Sequence, residues 1–407
     1  MNKRSSRKKH QKTYQGDVKE NKTYWKNAIS IIISILIIGG VGIYFKNIKS
    51  PMAQKVEANS EISDETKDIA EEEKREEIII KEPVKKAILI SFAGDFTLGT
   101  DTKFGYDGSL PAAFINSGRN YSYFMQNVAS IFNKDDYTLV NLETTFTDSN
   151  VKAPKDGEIF YNFKGPKEYV NILKTGSIDG VTISNNHIYD YGKQGIQDTV
   201  NTLKENNIDI CGEGYKILKN IQGVKFGFLG YTGWEYSNEL KTKIINDISE
   251  LKNQGAEVVI PYFHWGIERS YEPYEVQQNL ARVAIDNGAE AVIGSHPHVI
   301  QSMENYKGKL IAYSMGNFCF GGNSNPPDKR TFILQVKANM QDDKLVNFEY
   351  KVLPAMVSSR SDRNNYIPTL ATGENKTNIL KTLNELSPTL NGSIKDEFFD
   401  IKKLISK

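Results

Sequence analysis

Short apolar runs, each stopping at a residue with metal-binding chemistry, set the strongest limit on what this chain can fold into. Residues 291–295 (Ala-Val-Ile-Gly-Ser) read as a buried strand and run straight into His296-Pro297-His298. The chain has five histidines, and His187 and His264 also follow strand-like runs, while His10 alone lies in a basic amino-terminal stretch. Histidines scattered through a core would not be expected to repeat that placement. Loops at strand ends let side chains from distant segments converge on one point. The pattern predicts a metal-dependent site assembled from several strand ends.

Between these stops, β-type runs alternate with amphipathic helical stretches. Residues 88–92, 137–142, 181–183, 226–229 and 258–260 read as strands. Ile196, Val200 and Leu203 recur at helical spacing, as do Val276, Leu280, Val283 and Ala284. Strands alternating with helices imply an α/β fold with a largely parallel sheet, whose ligands gather beyond the carboxyl ends of the strands. Residues 310–313, 331–336 and 345–353 read as strands without intervening helices, and suggest an antiparallel second sheet or edge. The tail over 356–407 shows a short helix at 379–386 and no readable motif.

The opposing charges nearly cancel, with 51 Lys and Arg against 50 Asp and Glu, but they are unevenly placed. Residues 1–27 are rich in Lys and Arg, and among the charged residues of 57–82 Glu and Asp dominate. There is no basic stripe with interleaved aromatics, so nucleic acid is not an expected partner. Residues 28–45 carry no charge and are mostly Ile, Val, Leu and Gly, nearly enough to span a hydrocarbon core of about 30 Å. Basic residues precede that run, so the amino terminus is expected in the cytoplasm and the bulk of the chain outside. The long basic segment and the extended apolar run favour an uncleaved anchor over the competing reading, a cleaved signal peptide. The polar stretch 46–86 reads as a linker that holds the domain at 87–355 off the membrane. Cys211 and Cys319 read as two buried free thiols.

Each strand end offers its own chemistry. Asp95, after Gly94, is a hard oxygen donor, and the glycine lets the backbone turn tightly beside a ligand; the pair is also a common turn. Glu143, just past the second strand, can bridge two cations or be simply solvated. Asn186 offers an amide oxygen, and the adjacent His187 can ligate or act as an acid; Asn185-Asn186 also suits a turn. Asp190 and Gly192 are expected to lead into the next helix. His264 is a neutral imidazole donor, or a satisfied core histidine. His296 and His298, two residues apart, would point the same way on an extended strand, as chelation requires. Mixed nitrogen and oxygen donors without thiolates suit Mn, Fe or Zn better than Ca. A site of this kind neutralises charge on an oxyanion.

Taken in order, Gly94-Asp95-Phe96-Thr97-Leu98-Gly99, Asn141-Leu142-Glu143, Ser184-Asn185-Asn186-His187 with Asp190-Tyr191-Gly192, His264-Trp265-Gly266, Gly294-Ser295-His296-Pro297-His298 and Tyr313-Ser314-Met315-Gly316-Asn317-Phe318 resemble the CapA capsule-synthesis family, also called PgsA-like. That family in turn resembles the calcineurin-like metallophosphatases. The resemblance implies a four-layer αββα sandwich, preceded by one transmembrane helix, with one or two divalent ions between strand ends. It implies Asp95 and His298 on a first ion, His264 and His296 on a second, Glu143 as the bridge and Asn186 as an amide ligand. His187 would be the acid that serves the leaving oxygen. Thr97 stands where the superfamily usually has a histidine, and Glu143 where it has an aspartate.

The family's role implies a cell-membrane component of poly-γ-glutamate capsule synthesis or export, acting on the outer face with membrane-bound capsule synthesis proteins. Arg269 and Lys193, near the expected ligands in sequence, could meet the carboxylates of such a polymer. Two alternatives remain at this stage. One is a metal-dependent phosphoester or amide hydrolase outside capsule synthesis. The other is a non-catalytic polymer-binding module.

Overall fold

The computed structural model describes residues 82–155 and 160–404. The expected basic tail, the anchor at 28–45 and nearly all of the linker lie outside the described residues. Among the described residues no helix is long and apolar enough to cross a membrane.

Among the described residues the strands start with β1 (Lys85–Thr97), β2 (Tyr137–Leu142), the short pair β3 (Thr145–Phe146) and β4 (Lys164–Gly165), β5 (Gly180–Thr182) and β6 (Asp209–Cys211). They continue with β7 (Ile217–Ile221), β8 (Val224–Gly233), β9 (Val258–Trp265), β10 (Ala291–Ser295), β11 (Met303–Tyr306) and β12 (Lys309–Ala312). The last strands are β13 (Asn317–Phe320), β14 (Arg330–Gln341), β15 (Lys344–Met356) and β16 (Thr369–Leu370). The helices are α1 (Leu110–Asn116), α2 (Ala129–Phe132), α3 (Val170–Thr175), α4 (Gly192–Glu205), α5 (Asn238–Asn253), α6 (Glu275–Asp286) and α7 (Gly373–Leu386).

Two large sheets result. One has eight strands in the order β16-β15-β14-β1-β2-β5-β6, with β13 also beside β1; the other has six, β11-β12-β10-β9-β8-β7. Alternation along the strands decides how they pack, because successive side chains face opposite ways. Ile88, Ile90 and Phe92 of β1 meet Val258, Ile260 and Tyr262 of β9 in a core between the sheets. Ala93, Val140 and Val181 face the other way, onto Phe114 of α1, Ile172 of α3 and Leu203 of α4. Val259, Phe263 and Val292 cover Ile244 and Leu251 of α5 and Leu280 of α6. The layers therefore run helix, sheet, sheet, helix. Each large side chain fully buried here stabilises the fold by about 1.5–3 kcal/mol.

The helices obey the same logic. In α6, Gln277, Leu280, Ala281, Ala284 and Ile285 are buried along one stripe. In α5, Ser237 caps the start by accepting from Leu240 N at 3.2 Å.

Two readings from sequence are refined. Of the late strands, β14 and β15 form an antiparallel edge, as expected, on the eight-stranded sheet, whereas β12 lies parallel to β10 in the other. The segment beyond residue 356 is part of the domain, since Ile379 and Leu383 of α7 and Leu390, Ile394 and Phe399 join the core between the sheets.

Strand β1 changes partner midway. Its first half pairs with β14 up to Phe92, and from Asp95 it pairs with β13. The switch falls at Gly94, where an added Cβ would sit 1.8 Å from the Gly316 carbonyl oxygen. Gly94 is thus needed for a close backbone approach rather than for the turn expected of it.

Candidate metal centre

Parallel register brings the first group of site residues together. Asp95 is paired across the sheet with Asn141 of β2 on one side and Asn317 of β13 on the other. Asn141 donates through Nδ2 to Asp95 Oδ1 at 2.8 Å, and Asn185 Nδ2 donates to Asn141 Oδ1 at 3.1 Å. Two residues beyond Asn141, Glu143 is fully buried, and its Oε2 accepts from Thr97 Oγ1 at 3.1 Å. Glu143 Oε1 is buried with no hydrogen-bond partner among the described residues.

The second sheet supplies imidazoles. His264 stands at the end of β9, in register with Ser295 of β10. Its Nδ1 lies 3.2 Å from Ser295 Oγ, while its Nε2 lies 3.1 Å from His296 Nδ1, 2.7 Å from Asn186 Oδ1 and 3.5 Å from Glu143 Oε1. His298 Nδ1 is 2.8 Å from Asn317 Oδ1 and 3.4 Å from Asp95 Oδ2. Both neighbours are acceptors, so Nδ1 holds a proton and Nε2 faces Glu143 Oε1 at 3.9 Å.

His296 and His298 do not converge by lying on an extended strand. They follow β10 in a loop with φ of 100° and 58°, a left-handed region costly for side chains larger than glycine. The loop is held by His296 N donating to Asp95 Oδ2 at 3.3 Å. Strained backbone of this kind gathers at functional sites.

Two groups of donors can each hold an ion: Asp95, Glu143 and His298, and Glu143, His264 and His296, with the donor atoms of each group within 4.8 Å of one another. Asn186 adds an amide oxygen on the His264 side. The electrostatics suit a cation. Burial would raise the Asp95 pKa, but the His298 hydrogen bond and the charges of His264 and His298 outweigh it and hold the carboxyl well below its usual range. Burial and the neighbouring Asp95 charge push Glu143 well above its usual range. Burial drives His264 far down and His296 down to about 3, each helped by a neighbouring histidine, so both are neutral donors. Against the pull of burial, Glu143 and Asp95 draw His298 up to about 10. Glu143 raises His298 fully only as a carboxylate, yet its own shift favours the acid. The directions that hold are an ionised Asp95 beside His298, with Glu143 left short of positive charge.

His187 sits beside this centre. Its Nδ1 is 2.7 Å from Asp190 Oδ2, and Asp190 Oδ1 is ion-paired with Lys155. Burial lowers the His187 pKa despite the opposing pull of Asp190. Asp190 therefore orients His187 instead of merely leading into α4. Phe163 packs on the His187 ring at 4.3 Å.

His187, His298 and Asn317 line a cleft of about 130 Å³ together with Arg269. Lys193 is exposed on the first turn of α4 and is not part of the cleft lining, because the helix carries it away from the strand ends. Sequence reasoning assigned no role to Asn141, Asn185, Asn317, Lys155 or Trp234. Asn141 shares a strand face with Glu143, a signal the two-residue spacing carried. Trp234 had none: it lies beyond β8 with its ring 4.7 Å from that of His296.

Residues 89–322 match the family described as bacterial capsule synthesis protein PGA_cap. The chain belongs to that family. Among similar proteins, the PGA biosynthesis protein CapA of Bacillus subtilis (strain 168) is 32% identical over 250 residues, covering 56% of this chain and 62% of that protein. The capsule biosynthesis protein CapA of Bacillus anthracis is 30% identical over 220 residues, covering 49% and 54%. The matches thus span less than two thirds of the length of these relatives. Among solved structures, a novel phosphatase of Mycoplasma pneumoniae aligns with a TM-score of 0.41 at 14% identity, over 67% of this chain and 95% of that one.

Proposed function

We propose that this PGA_cap chain is a membrane-anchored component of poly-γ-glutamate capsule synthesis whose outward-facing domain carries a divalent-metal, hydrolase-type site. The observation that carries the metal reading is Glu143 Oε1, a buried oxygen without a partner among the described residues, on the residue that both donor groups share. A buried, unpaired carboxylate oxygen is costly unless a cation meets it. The layer order, with the centre at strand ends, supports placing the domain among the calcineurin-like metallophosphatases. The uncharged run at 28–45, preceded by basic residues, supports the anchor and its orientation. The PGA biosynthesis named for the Bacillus subtilis relative supports the polymer.

Asp95 and His298 would hold one ion and His264, His296 and Asn186 a second, with Glu143 between them. Nitrogen and oxygen donors fit Mn, Fe or Zn. Such an ion, when bound, polarises a carbonyl or phosphoryl oxygen as a Lewis acid. The chain's own residues do the rest. Asn141 fixes Asp95 and Thr97 fixes Glu143, so the donors are positioned before a ligand arrives. Asp190 and Lys155 hold the His187 ring so that Nε2 takes up a proton and passes it to the leaving atom.

The test is incubation of the detergent-solubilised full chain with γ-linked polyglutamate and Mn, Fe or Zn, following chain length by mass spectrometry. Chelator-sensitive shortening is the expected result. Binding without shortening would contradict the hydrolase reading and favour a polymer-binding module.

A further inference from the structure

The cleft beside the metal centre is lined by two consecutive residues of opposite charge, Glu268 and Arg269. Extended backbone would send such neighbours to opposite sides. Here Arg269 has φ of 65°, a left-handed conformation that a long side chain rarely adopts. Arg269 N donates to the Pro297 carbonyl at 2.7 Å, which ties this kink to the loop between His296 and His298. A buried pair of glutamines holds the segment that follows. Gln277 Nε2 donates to Gln301 Oε1 at 2.9 Å, and Gln301 Nε2 donates to the Ser270 carbonyl at 2.9 Å. The loop is therefore fixed, while both charged side chains are exposed.

Neither side chain has a hydrogen bond or ion pair among the described residues. They do not pair with each other, and the other cleft carboxylate, Asp328, is occupied by Arg330 and by the Tyr271 hydroxyl. A free carboxylate and a free guanidinium, held side by side in strained backbone, complement a ligand with an ammonium next to a carboxylate. The γ-linked polymer presents that combination at one place only. Its peptide bonds use the side-chain carboxyl, so every residue keeps an α-carboxylate, but only the amino-terminal residue keeps the α-ammonium as well.

We infer that Glu268 and Arg269 form a subsite for the amino-terminal end of a γ-linked glutamate chain, with Arg269 on the α-carboxylate and Glu268 on the α-ammonium. This rests on the polymer reading above and adds that the site engages chain ends rather than chain interiors. Both contacts are charge-assisted, and Arg269 can meet its carboxylate with two parallel N–H donors.

The experiment is a binding titration of the full chain in detergent, loaded with Mn, against γ-linked tetraglutamate and its N-acetylated form. The free-ended oligomer should bind about tenfold more tightly, as expected when one charged contact is lost. Glu268→Gln should weaken the free-ended oligomer about tenfold and abolish the preference. Arg269→Gln should weaken both oligomers. Equal affinity of the unmodified protein for both forms, or a preference that survives Glu268→Gln, would overturn the subsite and leave the polymer reading standing. Failure to bind either form would overturn the polymer reading, and the subsite with it.

Discussion

Thr97 Oγ1 donates to Glu143 Oε2 at 3.1 Å, which fixes the carboxylate and leaves its other oxygen facing His264 and His298 with nothing to accept from. Glu143 is the residue both donor groups share. Glu143→Gln removes the charge but keeps the shape. The metal-free variant should be at least as stable as the parent, because burial and the Asp95 charge disfavour the Glu143 carboxylate and an amide has no charged form to suppress. The melting-temperature rise produced by Mn, worth about 2.7 kcal/mol at a hundredfold excess over Kd, should shrink sharply. Thermal melts with and without Mn measure both effects.

Asp190 and Lys155 act on His187 and not on the donors. Asp190→Asn should therefore leave metal content unchanged while lowering turnover by about 10²-fold or more, the scale of lost acid–base assistance. Lys155→Met should lower it less, because Asp190 still reaches His187. Metal analysis beside a turnover assay separates these outcomes from a simple loss of the site.

Gly94→Ala tests how the fold serves the centre. The new methyl would collide with the Gly316 carbonyl, and that contact is backbone against backbone, so one strand must shift. A cost of about 1–3 kcal/mol is expected from overpacking, together with weakened metal binding as Asp95 moves. Denaturant melts and metal titration read the two effects.

Asp135 offers a pH test well away from the centre. Burial, with the charges of Asp179 and Asp136, raises its pKa from 3.8 to about 7 against hydrogen bonds from Ser91 and Thr138. A carboxyl with a higher pKa folded than unfolded binds more protons in the folded state between those values. Stability contributed by the proton is then present below about 4 and lost as pH rises through about 7. Asp135→Asn should raise stability at pH 8 by about 1 kcal/mol, discounted for partial solvent exposure, and change little at pH 4. Urea melts at the two pH values check the sign.

How far the sequence could be read follows from which features leave a pattern. The strand ends were legible because apolar runs stop abruptly at Asp95, Glu143, His187 and His264. Residues 196–203 and 276–284 were legible as helices from their spacing. That His296 and His298 meet at the centre was legible from their spacing, but the loop with positive φ that brings them there was not, because no residue pattern announced it. Lys155 was invisible for a different reason: it meets Asp190 from a stretch with no periodicity. Ile379 and Leu383 showed a helix but not the sheets it packs on, since an apolar stripe does not name its partner.

The metal content of the full chain tests the central claim most directly. Protein purified in detergent would be equilibrated with Mn, Fe or Zn in turn, desalted and analysed by mass spectrometry, beside a His296→Ala, His298→Ala double variant checked for folding by circular dichroism. The account predicts about one or two bound equivalents in the parent, as two adjacent donor groups allow, and their loss in the folded variant. A parent that retains none of the three metals, or a variant that retains the full complement, would contradict it.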